Sequence, residues 1–167
     1  GIMQTGWLKL GKTWYYLKGS GAMAEGWAKV RGSWYYLNPG SGAMAKGWKS
    51  VGGTWYYLNG SGAMKTGWLK LGKTWYYLKG SGAMAEGWQK VSGAWYYLNP
   101  GSGSMKTGWL KLGKTWYYLS GSGAMRTGWQ KIGGTWYYFR GSGAMVADEA
   151  ITIGGKTYRF SASGAWI

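Results

Sequence analysis

An all-β array of stacked β-hairpins is the fold class this sequence predicts, on three observations. Residues 6–17 (GWLKLGKTWYYL) set two short aromatic and aliphatic runs around a glycine-containing pair. The pattern occurs seven times, with GW tryptophans at Trp7, Trp27, Trp48, Trp68, Trp88, Trp109 and Trp129 spaced 20, 21, 20, 20, 21 and 20 residues apart. A unit this short cannot bury an apolar face alone, so it must stack on its neighbours as solenoids and arrays do.

Within each unit, Gly11-Lys12 and its equivalents Arg31-Gly32, Gly52-Gly53, Gly72-Lys73, Ser92-Gly93, Gly113-Lys114 and Gly133-Gly134 read as two-residue hairpin turns. Such a turn pairs Leu10 with Thr13, Lys9 with Trp14, Leu8 with Tyr15 and Trp7 with Tyr16. Side chains alternate between faces. One face therefore carries Trp7, Lys9, Trp14 and Tyr16, and the other Leu8, Leu10, Thr13, Tyr15 and Leu17. The Leu10 position is always aliphatic, and the Leu17 position is Leu or Phe139. The Leu8 position also takes Lys49, Gln89 and Gln130, which argues against deep core there.

Between hairpins, the Gly/Ser-rich loop carries Ala-Met at a fixed place (Ser104-Met105 once), which predicts an ordered connector. Residues 6–27 repeat identically 61 positions on, as does the insertion Asn38-Pro39-Gly40 at Asn99-Pro100-Gly101. Duplication of a three-hairpin block explains this, and so does a solenoid with three hairpins per turn. From Val146 the copy degenerates. Tyr158 is read in the place of the second Trp, Arg159 in that of the first Tyr, and Trp166 in that of Met. The expected organisation is seven repeats over 1–145 and a capping repeat over 146–167. The opening residues match the tail of a repeat (compare 63–67), so a piece of a longer protein is expected.

Composition narrows the chemistry. With no Cys and no His there is no thiolate, disulfide, histidine base or zinc site of the usual kind. The only carboxylates are Glu25, Glu86, Asp148 and Glu149, and the first two are one loop position copied. Neither catalytic residues nor a metal or cofactor are expected. No apolar run approaches the ~20 residues of a membrane span, so no membrane insertion is expected. The net charge of +16 calls for an anionic partner or surface. Lysines spread over turns and loops, without a groove-like block, argue against nucleic acid.

Two Trp and one Tyr on one face exceed what a narrow stack needs as core. Trp7 and Trp14 would form two walls of a box, and a Tyr of the next hairpin, Tyr36, a third. Such boxes attract quaternary ammonium ions through the ring quadrupoles. The run GW-x-K-x-x-G-x-WYYL-x-x-x-G-x-M-x-x-GW closely resembles the choline-binding (cell-wall-binding) repeats of Gram-positive surface proteins, autolysins and phage lysins. The resemblance covers Met3 to about Met145 and implies a left-handed hairpin solenoid, about three hairpins per turn, with choline between consecutive hairpins.

Carried over by position, the implied sites are Trp7, Trp14 and Tyr36; Trp27, Trp34 and Tyr57; Trp48, Trp55 and Tyr77; Trp68, Trp75 and Tyr97; Trp88, Trp95 and Tyr118; and Trp109, Trp116 and Tyr138. A seventh, Trp129, Trp136 and Phe160, departs from the pattern. The resemblance implies a secreted, non-catalytic module at the bacterial cell surface or wall. It would bind choline or phosphocholine of teichoic or lipoteichoic acid multivalently, with lysines such as Lys9 and Lys29 meeting phosphates. Any activity, such as peptidoglycan hydrolysis, would lie in an upstream domain, and two copies would pair through the C-terminal repeat. Glucan-binding repeats, whose aromatic faces stack on sugars, are the alternative.

Overall fold

A computed structural model describes all of residues 1–167. It is all-β, with sixteen five-residue strands in eight antiparallel hairpins, each hairpin a separate two-stranded sheet. The chain divides into two compact units, Gly1–Ala85 and Glu86–Ile167. The first unit stacks hairpins 1 to 4: β1 (Gly6–Leu10) with β2 (Thr13–Leu17), β3 (Gly26–Val30) with β4 (Ser33–Leu37), β5 (Gly47–Val51) with β6 (Thr54–Leu58), and β7 (Gly67–Leu71) with β8 (Thr74–Leu78). The second stacks hairpins 5 to 8: β9 (Gly87–Val91) with β10 (Ala94–Leu98), β11 (Gly108–Leu112) with β12 (Thr115–Leu119), β13 (Gly128–Ile132) with β14 (Thr135–Phe139), and β15 (Glu149–Ile153) with β16 (Lys156–Phe160).

The register is the expected one: Leu10 faces Thr13, Lys9 Trp14, Leu8 Tyr15 and Trp7 Tyr16. Both turn residues take positive φ in hairpin 3 (Gly52 58°, Gly53 80°), the arrangement that matches the twist of the strands it joins. Hairpin 2 puts Arg31 in the same region at φ 50°, where a side chain costs about 1–2 kcal/mol.

Stacking is head to tail. Within each unit, the back face of a hairpin, bearing the first Tyr and the Leu17-type residue, lies on the front face of the hairpin before it. Leu58 joins Tyr36, Ala45, Trp27 and Val51 in one cluster, and Leu119 joins Tyr97, Leu110, Trp88 and Leu112 in another. Leu37, Leu58, Leu78, Leu119 and Phe139 are fully buried, whereas Leu17, in the first hairpin, is only partly so. The Leu8 position is half-buried as expected, except that Leu110 is buried. Lys49 fits there because its ammonium lies 5.5 Å over the Tyr36 ring of the preceding hairpin.

The loops are ordered. Each returns to its own hairpin as a one-residue rung (Leu17 with Met23, Leu37 with Met44), and the amides of Met44, Met64, Met84, Met125 and Met145 bond the preceding hairpin, as in Met44 N to Trp14 O at 2.8 Å. The Met side chain then lies flat on a glycine of the next loop. A Cβ on Gly62 would overlap the Met44 sulfur, and Gly62 has φ +85°, so only glycine fits. The longer Asn-Pro-Gly loops are latched: Glu25 Oε1 accepts from Gly40 N at 3.0 Å, and Glu86 Oε1 from Gly101 N at 3.1 Å. The two copied glutamates are therefore structural and travel with the insertion they hold. Glu149 pairs with Arg140.

The last hairpin corrects the alignment read from sequence by one residue. Ala150 pairs with Arg159, Ile151 with Tyr158, and Thr152 with Thr157. Tyr158 thus holds the first-Tyr position, Arg159 the second-Tyr position and Thr157 that of the second Trp. Phe160 is the Leu17 equivalent, 2% exposed. The Gly154-Gly155 turn (φ 58° and 80°) sets this register. Trp166 does take Met's place, bridging Phe160 as Met23 bridges Leu17.

Candidate ligand-binding site

Within each unit, the joints between hairpins build boxes from the strands upward. On the front of hairpin 1, Trp7 and Trp14 are diagonal neighbours, and their rings stand 6.3 Å apart at 89°. The back of hairpin 2 adds Tyr35, 4.7 Å from Trp7 and steeply inclined to it at 69°. Met44 of the following loop and Ser61 of the loop after that complete a cavity of about 210 Å³. The same construction recurs at Trp27, Trp34, Tyr56, Met64 and Ser81, with about 310 Å³. It recurs again at Trp109, Trp116, Tyr137, Met145 and Ser163, with about 270 Å³. Trp48 meets Tyr76, and Trp88 meets Tyr117, both at 5.1 Å. Trp68 and Trp75 of hairpin 4 stand in the same mutual arrangement as Trp7 and Trp14, 6.2 Å apart at 90°.

The tryptophan pairs stand where the sequence puts them, but the tyrosines do not. Tyr36, Tyr57, Tyr77, Tyr97, Tyr118 and Tyr138 were expected to close the boxes of the preceding hairpin. They lie instead 5.0–5.3 Å from the first Trp of their own hairpin, on its front face. The ring that closes the box is the first Tyr of each pair: Tyr35, Tyr56 and Tyr137 line the three cavities. The register was right, and the cause is the stacking sense. Head-to-tail packing sets a front face against a back face, so a hairpin offers its neighbour the Tyr opposite in sense to its own tryptophans. At the last joint Phe160 is core packed 5.6 Å from Trp129, and Tyr158, at 4.9 Å, holds the third wall.

Spacing within one unit gave no hint of Ser61, Ser81 and Ser163, because each belongs to a third hairpin's loop. The tyrosine choice had one legible signal. The degenerate last repeat keeps a Tyr at the first position and Arg at the second, visible once its glycine turn is aligned.

The boxes are open. Trp34, Trp55, Trp75, Trp95, Trp116 and Trp136 stay 37–44% exposed, too much for core and suited to a ligand wall. A lysine tops most of them, as with Lys9 Nζ 5.6 Å and Lys29 Nζ 5.8 Å from the rings of Trp14 and Trp34. These rings already attract one ammonium from outside. Inside, perpendicular π-faces and a polarizable Met sulfur make a pocket for a compact cation without hydrogen-bond donors.

Comparison with known proteins agrees with the fold. The choline-binding repeat description matches residues 4–46, 45–86, 85–127 and 126–167. CbpJ of Streptococcus pneumoniae TIGR4 is 44% identical with a TM-score of 0.91, covering 98% of this chain and 58% of that one. Choline binding protein F of Streptococcus pneumoniae is 42% identical with a TM-score of 0.87, over 98% and 57%. The choline-binding domain of CbpL from the same species is 31% identical with a TM-score of 0.62, over 98% and 97%. The chain thus spans somewhat more than half the length of the CbpJ and choline binding protein F chains. No curated protein sequence matches it. Matched repeats run from residue 4 to residue 167, so the chain is a repeat module and not a catalytic domain. It belongs to the choline-binding repeat family.

Proposed function

We propose that this module anchors a larger surface protein or lytic enzyme to the cell wall by holding choline in the boxes between its hairpins. Repeat proteins of this type are associated with the Gram-positive cell surface and wall. The observation that carries the reading is the recurring open box of two perpendicular tryptophans, a tyrosine of the next hairpin and a methionine. Its walls offer π-faces and sulfur, with no carboxylate among the residues lining the three cavities. Trimethylammonium needs no hydrogen bond and gains roughly 0.5–2 kcal/mol per ring face according to desolvation.

One box binds weakly. Several boxes on one module, meeting choline repeated along a teichoic or lipoteichoic acid, gain on the order of 10²–10⁴ in avidity. The net charge of +16 suits that polymer's phosphates, with Lys9-type lysines beside the boxes. Secretion, and pairing of two copies through residues 146–167, complete the reading.

Titration with choline under Trp fluorescence tests it, with a glucan as control. Saturation at millimolar choline and none with glucan is expected. Trp34→Ala should remove one site from the stoichiometry. Silence to choline would sink the proposal.

A further inference from the structure

The residue that follows each Leu17-type core residue varies from loop to loop: Lys18, Asn38, Asn59, Lys79, Asn99, Ser120, Arg140 and Ser161. Among the three asparagines, Asn38 and Asn99 precede proline, which has no backbone N–H, whereas Asn59 precedes Gly60. Asn59 and Gly60 are both exposed to water. Asn59 Oδ1 accepts from Ser61 N at 2.9 Å, Ser61 Oγ at 2.6 Å and Ala63 N at 3.0 Å. A neutral amide oxygen has two lone pairs, so three converging donors suit an oxygen that gains negative charge. Gly60 N and Asn59 Nδ2 make no hydrogen bond within the protein, which leaves the first free to attack and the second free to depart. By contrast, the Asn99 amide is tied to Ser104 Oγ, and Asn38 Oδ1 is buried with no donor.

We propose that Asn59 is a self-modifying site in the folded protein, converted by its own loop to aspartate and isoaspartate, and that the isoaspartate form dismantles the first box. Gly60 N gives its proton to water or hydroxide and attacks Asn59 Cγ. The N–Cγ bond forms, charge moves onto Oδ1, and the three donors hold it there. The Cγ–Nδ2 bond then breaks, and ammonia leaves with a proton from water. Water opens the resulting succinimide at either carbonyl, so the net change is addition of one water and loss of one ammonia, without oxidation or reduction. Opening at Cγ gives aspartate, whose charged oxygen accepts the same three bonds more strongly. Opening at the main-chain carbonyl gives isoaspartate, which routes the chain through Cβ and lengthens it. That product breaks the turn made by Gly62 N to Asn59 O at 2.8 Å and Asn59 N to Ala63 O at 2.9 Å. The turn carries Ser61, which lines the first box, and Gly62, on which the Met44 wall of that box is seated. The consequence for the box rests on the reading that it holds choline; the modification itself does not.

The test ages the full chain in mildly alkaline buffer, folded and in urea, and follows the tryptic peptide 50–65 by mass and by isoaspartate content. The folded chain should gain the amide-to-acid mass at Asn59 at least as fast as the unfolded one, with Asn38 and Asn99 unchanged. Ser61→Ala, which removes one donor to Oδ1, should slow the folded reaction about 2- to 12-fold, the span of one hydrogen bond. Asn59→Ser, the residue of two other loops, should stay unmodified. Choline calorimetry on the aged samples should show one site lost in proportion to isoaspartate. Asn59→Ser and Asn59→Asp, which keep the chain path, should hold the stoichiometry of the fresh protein. Conversion in urea with an intact Asn59 in the folded chain would show that the loop protects the residue, and would overturn the proposal. A folded rate untouched by Ser61→Ala would overturn the role of the donors. Full stoichiometry in an isoaspartate-rich sample would overturn the effect on the box. Absence of choline heat from every sample, fresh wild type included, would instead overturn the choline reading, while the mass and isoaspartate results still decide the modification.

Discussion

Hairpins 7 and 8 share a backbone and a register but differ in what they present on each side. On its front, hairpin 7 carries Trp129, Lys131, Trp136 and Tyr138. The same four positions in hairpin 8 are Ala150, Thr152, Thr157 and Arg159, with the two threonine hydroxyls 3.1 Å apart. The backs match far better: Gln130, Ile132, Tyr137 and Phe139 against Ile151, Ile153, Tyr158 and Phe160. The hairpin has two separable duties. Its back seals the joint before it, and its front opens the joint after it. Hairpin 8 keeps the first duty alone, which is what a capping repeat requires. We therefore assign residues 146–167 to a cap as a proposal.

If the backs are equivalent, Phe139→Ala and Phe160→Ala should each cost about 3–5 kcal/mol, the range for emptying a buried phenylalanine site. Arg159→Ala, on the front of hairpin 8, should stay within about 0.5 kcal/mol. Urea unfolding of the three variants checks this, and a cheap Phe160→Ala would break the comparison.

The next largest effect separates the two tyrosines of one hairpin. Tyr35→Ala should delete one choline site with little loss of stability. Tyr36→Ala, at a residue 8% exposed, should cost several kcal/mol, up to about 3–5. Stoichiometry and melting temperature measured on both variants sharpen the front-and-back division, and a reversed result would restore the tyrosine assignment that the sequence suggests.

Between loops, Gly62→Ala should cost about 1–3 kcal/mol by driving a Cβ into the Met44 side chain. Adding Met44→Ala should return part of that, leaving about 1–2 kcal/mol for the positive φ. A double-mutant cycle reads the coupling. Smallest is Arg31→Gly, which gives hairpin 2 the two-glycine turn of hairpin 8. Relief of φ 50° should stabilise by up to about 1 kcal/mol, seen as a slightly higher melting temperature.

Most of the hairpin was legible in the chain. Alternation about a glycine pair placed Trp7 opposite Tyr16 and put both tryptophans on one face, because strand geometry is local and has period two. The loop methionines could be recognised as ordered, since an apolar residue at a fixed place in Gly/Ser sequence needs something to pack on. The partner of Met44 could not, because Gly62 looks like any other loop glycine until the loops stack.

By itself, then, the sequence determined the all-β class, the repeat, the turns, the register and the two tryptophan walls of every box. Only the tertiary structure decided which tyrosine faces those walls, that Ser61 of a third hairpin's loop reaches the first box, and that Phe160 is core while Tyr158 is wall. The physical reason is the level at which each choice is made. A hairpin's own hydrogen bonds fix its two faces, but both tyrosines of a Trp-Tyr-Tyr run satisfy them equally. Their roles diverge only when a front packs on a back, and that stacking sense is a relation between units which no single unit encodes.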